Sequence, residues 1–336
     1  MLKTGQLLKQ DGYIYNDKTQ FLTKIKMIQM LSKINQYLTI FLVLCCTINT
    51  MAQQDPQYTH YMYNTMSVNP GYAGQRNTLS ITGLNRTQWV GIEGAPNTFS
   101  FAAHGPMRNE RVGLGLSAVA DQLGPAQEIY VDANFSYTIP VSYSRETKLS
   151  FGLKGGIHQL DTDWSKGQFQ NPDVTFTENI SLLSPTVGAG LYLHSNDWYF
   201  GASVPNILST SHYDDFSESI ASERLHVFLI AGMVFDLNQD LKFKPSAFAK
   251  AVQGAPVIVD VSANFLLYEK LNLGVAWRWD DALSAMAGFQ VTEGLMIGYG
   301  YDYTTSGLNN YTSGSHEILI RFEVQKLGRF LSPRFF

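Results

Sequence analysis

From Asn77 onward the chain alternates between apolar and polar residues with a period of two, in segments of about ten residues separated by turn residues. Residues 257–267 are a clear example: every odd position is apolar, whereas Asp260, Ser262 and Asn264 occupy even positions. Successive side chains of a β-strand point to opposite faces. The pattern therefore predicts strands with one apolar face and one polar or small face.

The alternation predicts fourteen strands. Their expected ranges are 77–89, 97–104, 111–121, 127–139, 147–160, 185–195, 198–205, 224–236, 241–252, 256–268, 271–279, 282–291, 294–303 and 315–324. Pro245 lies inside the ninth of these ranges, and a proline cannot donate a ladder hydrogen bond. We therefore expect a bulge or bend at that point.

The predicted connections differ in length on the two sides of the strands. Those after even-numbered strands are short turns, whereas those after odd-numbered strands include the three longest, residues 161–184, 206–223 and 304–314. Short turns at one end and long loops at the other are typical of a transmembrane β-barrel with periplasmic termini. In lipid every backbone polar group needs an internal partner, so the sheet must close. We predict an all-β fold, a transmembrane antiparallel β-barrel of about fourteen strands.

The composition supports this fold class. The 336 residues are 45% hydrophobic, 13% aromatic and only 15% charged, which argues against a disordered chain. The chain has no span of roughly 20 apolar residues, as a helical membrane protein would need. The net charge of −4 gives no indication of nucleic-acid binding. Trp89, Trp198, Trp277 and Trp279 fall near strand ends, where aromatic girdles form. The alternative is a large secreted β-sandwich whose aromatic residues fill a core.

The first 52 residues are typical of a signal peptide. An apolar run of 11 residues, 37–47, follows several lysines and precedes small residues that end at Ala52. We expect cleavage between Ala52 and Gln53, with a lipoprotein formed at Cys45 or Cys46 as the alternative. Met27 or Met30 would each begin a signal peptide of ordinary length.

Cleavage at this point would change the chemistry of the chain. Six lysines, two aspartates and both cysteines would be lost, leaving 18 basic and 26 acidic side chains and a net charge of −8. The mature chain would then have neither disulfides nor thiolate metal sites. Its domains would be residues 53–76, a leader or plug, and residues 77–336, the barrel. Asn69, Pro70, Gly71 and Tyr72, which begin with turn chemistry, are the candidate plug residues.

Eight segments in a fixed order carry a family resemblance. They are QDPQY (54–58), NPGYAG (69–74), RTQWVG (86–91), GLGLS (113–117), YFGASVPNIL (199–208), KPSAFAKAVQGAPVIVDVSANF (244–265), YGYDYTTSGL (299–308) and GSHEIL (314–319). Together they resemble the PorP/SprF family of outer-membrane proteins of the type IX secretion system. The resemblance covers nearly the whole mature chain, although the family usually has Ala where Gly71 stands.

The resemblance implies a non-enzymatic barrel of the Gram-negative outer membrane. Family members support the secretion or surface anchoring of secreted proteins such as adhesins, and some serve gliding motility. The implied partners are a secreted surface protein, other type IX components and outer-membrane lipid. A diffusion channel or hydrophobic-compound transporter with the same barrel is the alternative function.

The sequence offers few candidate catalytic or metal-binding residues. Ser315, His316 and Glu317 contain the residue types of a hydrolase, but neighbours along a strand point to opposite faces, so they cannot form a triad. The acids Asp161, Asp163, Asp214 and Asp215 lie in loops, where we interpret them as solvated side chains rather than calcium ligands. We expect no cofactor, no metal and no catalytic residue.

The long loops are the expected contact surface for a secreted partner, because the wall faces lipid and the opposite turns are short. Aromatic residues are frequent interface hot spots. The partner-binding candidates on these loops are Trp164, Phe169, Phe176, Tyr213, Phe216 and Tyr311.

Overall fold

The computed structural model describes residues 57–142, 146–166, 179–208, 225–252 and 255–324. Within these ranges the chain forms fifteen strands. They are β1 (Leu79–Thr87), β2 (Asn97–Pro106), β3 (Val112–Leu123), β4 (Ala126–Ser142), β5 (Thr147–Thr162), β6 (Ile180–His194), β7 (Trp198–Val204), β8 (His226–Met233), β9 (Phe235–Asn238), β10 (Leu241–Val252), β11 (Ile258–Leu267), β12 (Leu271–Arg278), β13 (Ala282–Thr292), β14 (Leu295–Thr304) and β15 (Ser315–Val324).

Short helices accompany the strands. One four-residue α-helix, α1 (Thr65–Val68), precedes the first strand, and 3₁₀ helices cover Pro70–Tyr72, Trp164–Lys166 and Gly307–Asn310. No helix in the described part of the chain is long and apolar enough to cross a membrane.

The strands form one closed antiparallel sheet. With the exception of β8 and β9, consecutive strands pair with each other around the sheet, and β15 pairs with β1. Strands β8 and β9 are separated by Val234 alone and both pair with β10, so they share one position in the sheet. The barrel therefore has fourteen strand positions, which confirms the predicted fold.

The break between β8 and β9 lies opposite Pro245. On β10, Ser246 pairs with Gly232 of β8 and Phe243 pairs with Phe235 of β9, which leaves the two residues between them unmatched on this side. The main-chain N–H of Val234 instead donates to the carbonyl of Asp197 at 2.7 Å. The irregularity expected at this proline thus occurs in the neighbouring strand, where the missing donor would have bonded.

The two faces of the wall differ in chemistry. In β12, exposed and buried residues alternate along the entire strand. The exposed face carries large apolar residues around the whole barrel, among them Leu116, Leu153, Leu183, Val275 and Ile318. The buried face is dominated by serine, threonine, asparagine, glycine and charged residues. An apolar exterior with a polar interior is the arrangement of outer-membrane barrels.

The strand ends agree with the predicted ranges to within a few residues at most positions. The exception is β6, which begins at Ile180 rather than at residue 185, so the loop expected over 161–184 is shorter than predicted. On the outer face of this extension, Gln159 donates to Asp161 and to Ser181 at 3.0 Å. The predicted signal peptide, its cleavage site and Cys45 and Cys46 lie outside the described residues.

Candidate functional site in the lumen

Residues 58–76, here called the lumen segment, fill the interior of the barrel. Nearly all of them are buried, including four tyrosines and two methionines. The segment contacts opposite sides of the wall: Thr59 bonds to Glu317 on β15, and Gly71 lies against Gly152 on β5. The structure places the four candidate plug residues inside this segment. They are Asn69, Pro70, Gly71 and Tyr72.

Asn69 organises the centre of the lumen segment. It ends α1 and begins the 3₁₀ helix Pro70–Tyr72, and its side-chain oxygen accepts a hydrogen bond from the N–H of Gly71 at 2.9 Å. This is the local turn chemistry for which Asn before Pro-Gly is suited. The side-chain amide of Asn69 also donates to the carbonyl of Leu191 on β6, at 2.9 Å. A short polar side chain thus both shapes the turn and joins it to the wall.

A cluster of buried charges holds the beginning of the lumen segment. The carboxylate of Glu317 accepts hydrogen bonds from the main-chain N–H groups of Thr59 and His60, at 2.9 and 2.7 Å, and contacts His60 Nδ1 at 2.6 Å. The Thr59 hydroxyl donates to Asp302 at 2.8 Å and accepts from Arg86 at 2.7 Å. We call Arg86, Asp302 and Glu317 the charged tether.

The charged tether is also paired internally. Arg86 bridges Asp302 at 2.7 Å and Glu317 at 3.2 Å, and all three side chains are almost fully buried. Arg278 extends the cluster across the wall, because it lies 3.3 Å from Asp260 and 3.6 Å from Asp302. Removing one member of such a cluster leaves an uncompensated buried charge, which is strongly destabilising.

A second ion pair holds the end of the lumen segment. Arg76 bonds to Glu323 on β15 and both side chains are buried. Just before it, the N–H of Gly74 donates to Nδ1 of His104 on β2 at 3.0 Å. The segment is therefore fixed at both ends to the strands around the β15–β1 junction.

On the opposite side, inward-facing glycines make room for the main chain of the lumen segment. A Cβ atom added at Gly152 would lie 2.0 Å from the nitrogen of Gly71, and one at Gly113 would lie 2.1 Å from the carbonyl oxygen of Ala73. A Cβ at Gly190 would lie 2.2 Å from the side chain of Asn69. We call Gly113, Gly152 and Gly190 the glycine floor. Any side chain there would overlap the segment as it now lies.

Aromatic packing fills the space between these two sides. Tyr61 packs on Phe248 with ring centroids 5.0 Å apart, and Tyr72 meets Tyr192 edge-on at 5.4 Å. Lys244 lies over the ring of Tyr63 at 5.3 Å, in a cation–π contact. Lys244, one of the buried lysines of β10, is therefore covered by the lumen segment.

Two loops at the long-loop end of the barrel lie directly above the charged tether. The N–H of Val90 donates to the carbonyl of Gly314, and the N–H of Ser313 donates back to Val90, both at 2.8 Å. The N–H of Trp89 donates to the hydroxyl of Ser315 at 3.1 Å. We call the loops 88–96 and 305–314 the cap. Trp89 has a φ of +44°, a conformation that a bulky residue rarely adopts.

The structure describes two of the six partner-binding candidates. Trp164 is half-buried in a 3₁₀ helix directly after β5, and Tyr311 is 73% exposed in the cap. Trp164 follows β5, the fifth strand position, and Tyr311 follows β14, the thirteenth, because β8 and β9 share one position. Both residues therefore lie at the end of the barrel that carries the long loops. The other four candidates lie outside the described residues. They are Phe169, Phe176, Tyr213 and Phe216.

The residues considered for other chemistry have structural neighbours of their own. Glu317 points inward to His60, whereas His316 points outward and lies 2.6 Å from the Tyr299 hydroxyl, so the two diverge as expected. Asp163 accepts hydrogen bonds from Ser165. Within the described ranges no group of three or more His, Cys, Asp or Glu side chains is placed to hold a metal ion. Asp214 and Asp215 lie outside these ranges.

Sequence reasoning missed the charged tether and the glycine floor. Arg86, Asp302 and Glu317 each occupy a polar-face position in one of the family-like segments, and Gly113 occupies such a position in GLGLS. The sequence did show a charged residue or a glycine at strand positions that face inward, and this could have marked them as contact residues. What no local pattern provided was the identity of the group that each of them contacts.

The chain matches the family model described as "Type IX secretion system membrane protein PorP/SprF" over residues 50–322. No curated protein matches it. Solved structures with a similar fold include the Acinetobacter baumannii outer membrane protein Omp33, at 8% identity and a TM-score of 0.43, covering 74% of this chain and all of Omp33. The Pseudomonas putida toluene transporter TodX has 9% identity and a TM-score of 0.44, covering 78% and 94%. A Pseudomonas aeruginosa FadL homologue has 12% identity and a TM-score of 0.40, covering 73% and 88%.

Proposed function

Since the chain belongs to the PorP/SprF family of type IX secretion system membrane proteins, we propose that it is a non-enzymatic outer-membrane barrel that supports the secretion or surface anchoring of a secreted protein. The secreted partner would be a surface protein such as an adhesin, with a link to gliding motility where the adhesin serves that purpose. Other components of the secretion system and outer-membrane lipid would be its remaining partners.

The filled lumen is the observation that supports a scaffold over a diffusion channel. The lumen segment is buried along its length, and it is joined to the wall by hydrogen bonds to Glu317 at its beginning and by the Arg76–Glu323 ion pair at its end. A fourteen-stranded barrel is intermediate in size between barrels filled by side chains and sixteen-stranded porins with an aqueous channel. A segment packed into a lumen of this size removes the open path that passive diffusion requires. A scaffold does not need that path.

The long-loop end is the proposed contact surface for the secreted partner. With the short turns and both termini in the periplasm, as is usual for such barrels, the cap and the loop after β5 would face the cell exterior. Tyr311 and Trp164 would contribute aromatic contacts there, together with Phe169, Phe176, Tyr213 and Phe216. Interfaces of this kind concentrate binding energy in a few such residues.

A deletion strain tests this function directly. Proteins of the cell surface and of the medium would be compared by quantitative mass spectrometry between the wild type and a strain lacking the barrel. We expect at least one large secreted protein to leave the surface, and a plasmid copy of the gene to restore it. An unchanged surface proteome combined with slower uptake of small hydrophobic solutes would contradict the scaffold and favour the transporter.

A further inference from the structure

Besides side-chain contacts, the wall binds several main-chain groups of the lumen segment. Glu317 accepts hydrogen bonds from two successive N–H groups, those of Thr59 and His60. His104 accepts one from the N–H of Gly74 at 3.0 Å. Main-chain N–H groups are present in every residue except proline, so these three hydrogen bonds do not depend on a particular side chain of the segment.

The carbonyl groups of the segment are bound in the same way. The hydroxyl of Ser136 on β4 donates to the carbonyl of Ala73, and the hydroxyl of Ser203 on β7 donates to the carbonyl of Val68, both at 2.7 Å. The glycine floor adds a third contact with the backbone, because Gly152 and Gly113 lie against main-chain atoms. Donors, acceptors and space for a polypeptide backbone are therefore built into six strands of the wall.

From these contacts we propose that the lumen is a peptide-binding site, which the lumen segment occupies in cis and which a segment of the secreted partner occupies in trans. The inference rests on the proposed function and specifies its partner: a stretch of chain that can present two successive main-chain N–H groups near a hydroxyl-bearing residue. In the lumen segment, the N–H groups of Thr59 and His60 and the hydroxyl of Thr59 play this part by bonding to Glu317 and Asp302.

The position of the charged tether explains how a segment in trans would begin to displace the one in cis. Arg86 precedes Trp89 by three residues on the path into the cap, and Glu317 follows Ser315 by two. The contacts of Thr59 and His60 thus lie closest to the loops that the partner is proposed to bind. A segment arriving from the cap would compete first for Glu317 and only afterwards for the glycine floor.

The test uses the full mature protein with a protease site inserted after Asn77, an exposed residue between the lumen segment and β1. After the barrel has folded and the site has been cut, a fluorescent synthetic peptide of residues 57–76 is added and its binding is followed by anisotropy. We expect slow exchange with the cut segment. The barrel variant Glu317→Gln should release the peptide at least about tenfold faster, because charge-assisted hydrogen bonds are stronger than neutral ones.

Matched peptides keep the test independent of barrel stability. A peptide N-methylated at residues 59 and 60 lacks both donors to Glu317 and should bind about tenfold or more weakly, whereas the His60→Asn peptide keeps both donors and should lose less. Equal binding of the methylated peptide, or no exchange of the native peptide into a folded barrel, would overturn main-chain recognition.

A tiled set of 20-residue peptides covering the protein lost from the surface in the deletion strain tests the occupant in trans. At least one tile should displace the fluorescent peptide, and a complete set without a competitor would overturn the trans occupancy. Because the exchange assay itself needs no partner, its outcome is separate from that of the surface proteome.

Discussion

The two sides of the lumen hold the same segment by different chemistry. Around β14, β15 and β1 the wall supplies charges, with Arg86, Asp302 and Glu317 bonded to Thr59 and His60. Around β3 to β6 it supplies glycines, with Gly152 and Gly113 directly under the backbone of the segment. The charged side binds through a few directional contacts, and the glycine side binds by leaving space. Binding of the segment on the charged side is therefore lost when a side chain is removed, whereas binding on the glycine side is lost when a side chain is added.

The difference follows from the free energy of burial. A buried charge is stable only when it is paired and hydrogen-bonded, so each member of the charged tether depends on the others. Close packing, by contrast, has no partner to lose but tolerates no extra volume. The four experiments below test this contrast, beginning with the largest expected effect.

Deleting residues 57–74 removes the contacts on both sides and leaves the wall strands intact. We expect a large increase in single-channel conductance in planar bilayers and greater sensitivity of cells to bulky antibiotics, because the lumen would be open. Heat-modifiable migration on gels would verify that the variant still inserts as a barrel. Unchanged conductance in an inserted barrel would mean that the segment does not close the lumen.

Removing one charge should break the charged side. Arg86→Ala removes the guanidinium that pairs with both Asp302 and Glu317 and leaves Arg278 as the one arginine beside Asp302 among the described residues. Breaking a buried ion pair in this way typically costs about 3–5 kcal/mol in the free energy of unfolding. Urea unfolding in lipid vesicles would measure the loss. Asn85→Ala, the exposed neighbour on β1, is the matched control and should change stability little. Similar losses in the two variants would refute a specific role for the tether.

Adding one methyl group should break the glycine side. Gly152→Ala would place its Cβ atom 2.3 Å from the carbonyl carbon of Pro70, and overpacking of this kind costs roughly 1–3 kcal/mol. Gly155→Ala on the same strand is the control, because nothing lies within 4 Å of an added Cβ atom there. Both variants would be compared by urea unfolding. A loss of stability at residue 155 as large as that at residue 152 would contradict the glycine floor.

A neutral hydrogen bond should matter least. Ser136→Ala removes the donor to the carbonyl of Ala73, and the net loss of one such bond is about 0.5–1.5 kcal/mol. Protease protection of the lumen segment would detect this small loosening more sensitively than global unfolding does. Ser142→Ala, near the end of the same strand, provides the comparison. A loss as large as that of Arg86→Ala would remove the distinction between charged and neutral contacts.

Most of the barrel could be predicted from the sequence, because period-two alternation is a local signal that each strand carries by itself. The start of β6 was predicted five residues too late. Pro185 lies inside that strand, opposite Ile157, although proline is more often found at the beginning of a strand. The outward position of the large apolar residues followed from the same alternation.

The contacts of the site could not be predicted in this way. Thr59 and Glu317 are separated by 258 positions in the sequence, and no periodicity connects residues that far apart. Gly152 and Glu317 could be assigned to the inward face, but their partners depend on the path of the lumen segment. The Asn-Pro-Gly turn at 69–71 indicated local structure without indicating where that turn would lie.

The bond between Thr59 and Glu317 also sets an order of events during biogenesis. Thr59 belongs to the first described residues of the chain, whereas Glu317 belongs to the last strand. A contact between such distant positions can form only late, after the intervening chain has been brought together. The beginning of the lumen segment therefore has no Glu317 to bind until β15 arrives and pairs with β1. A chain truncated before β15 would leave Thr59 and His60 without these hydrogen bonds and would expose them to periplasmic chaperones and proteases.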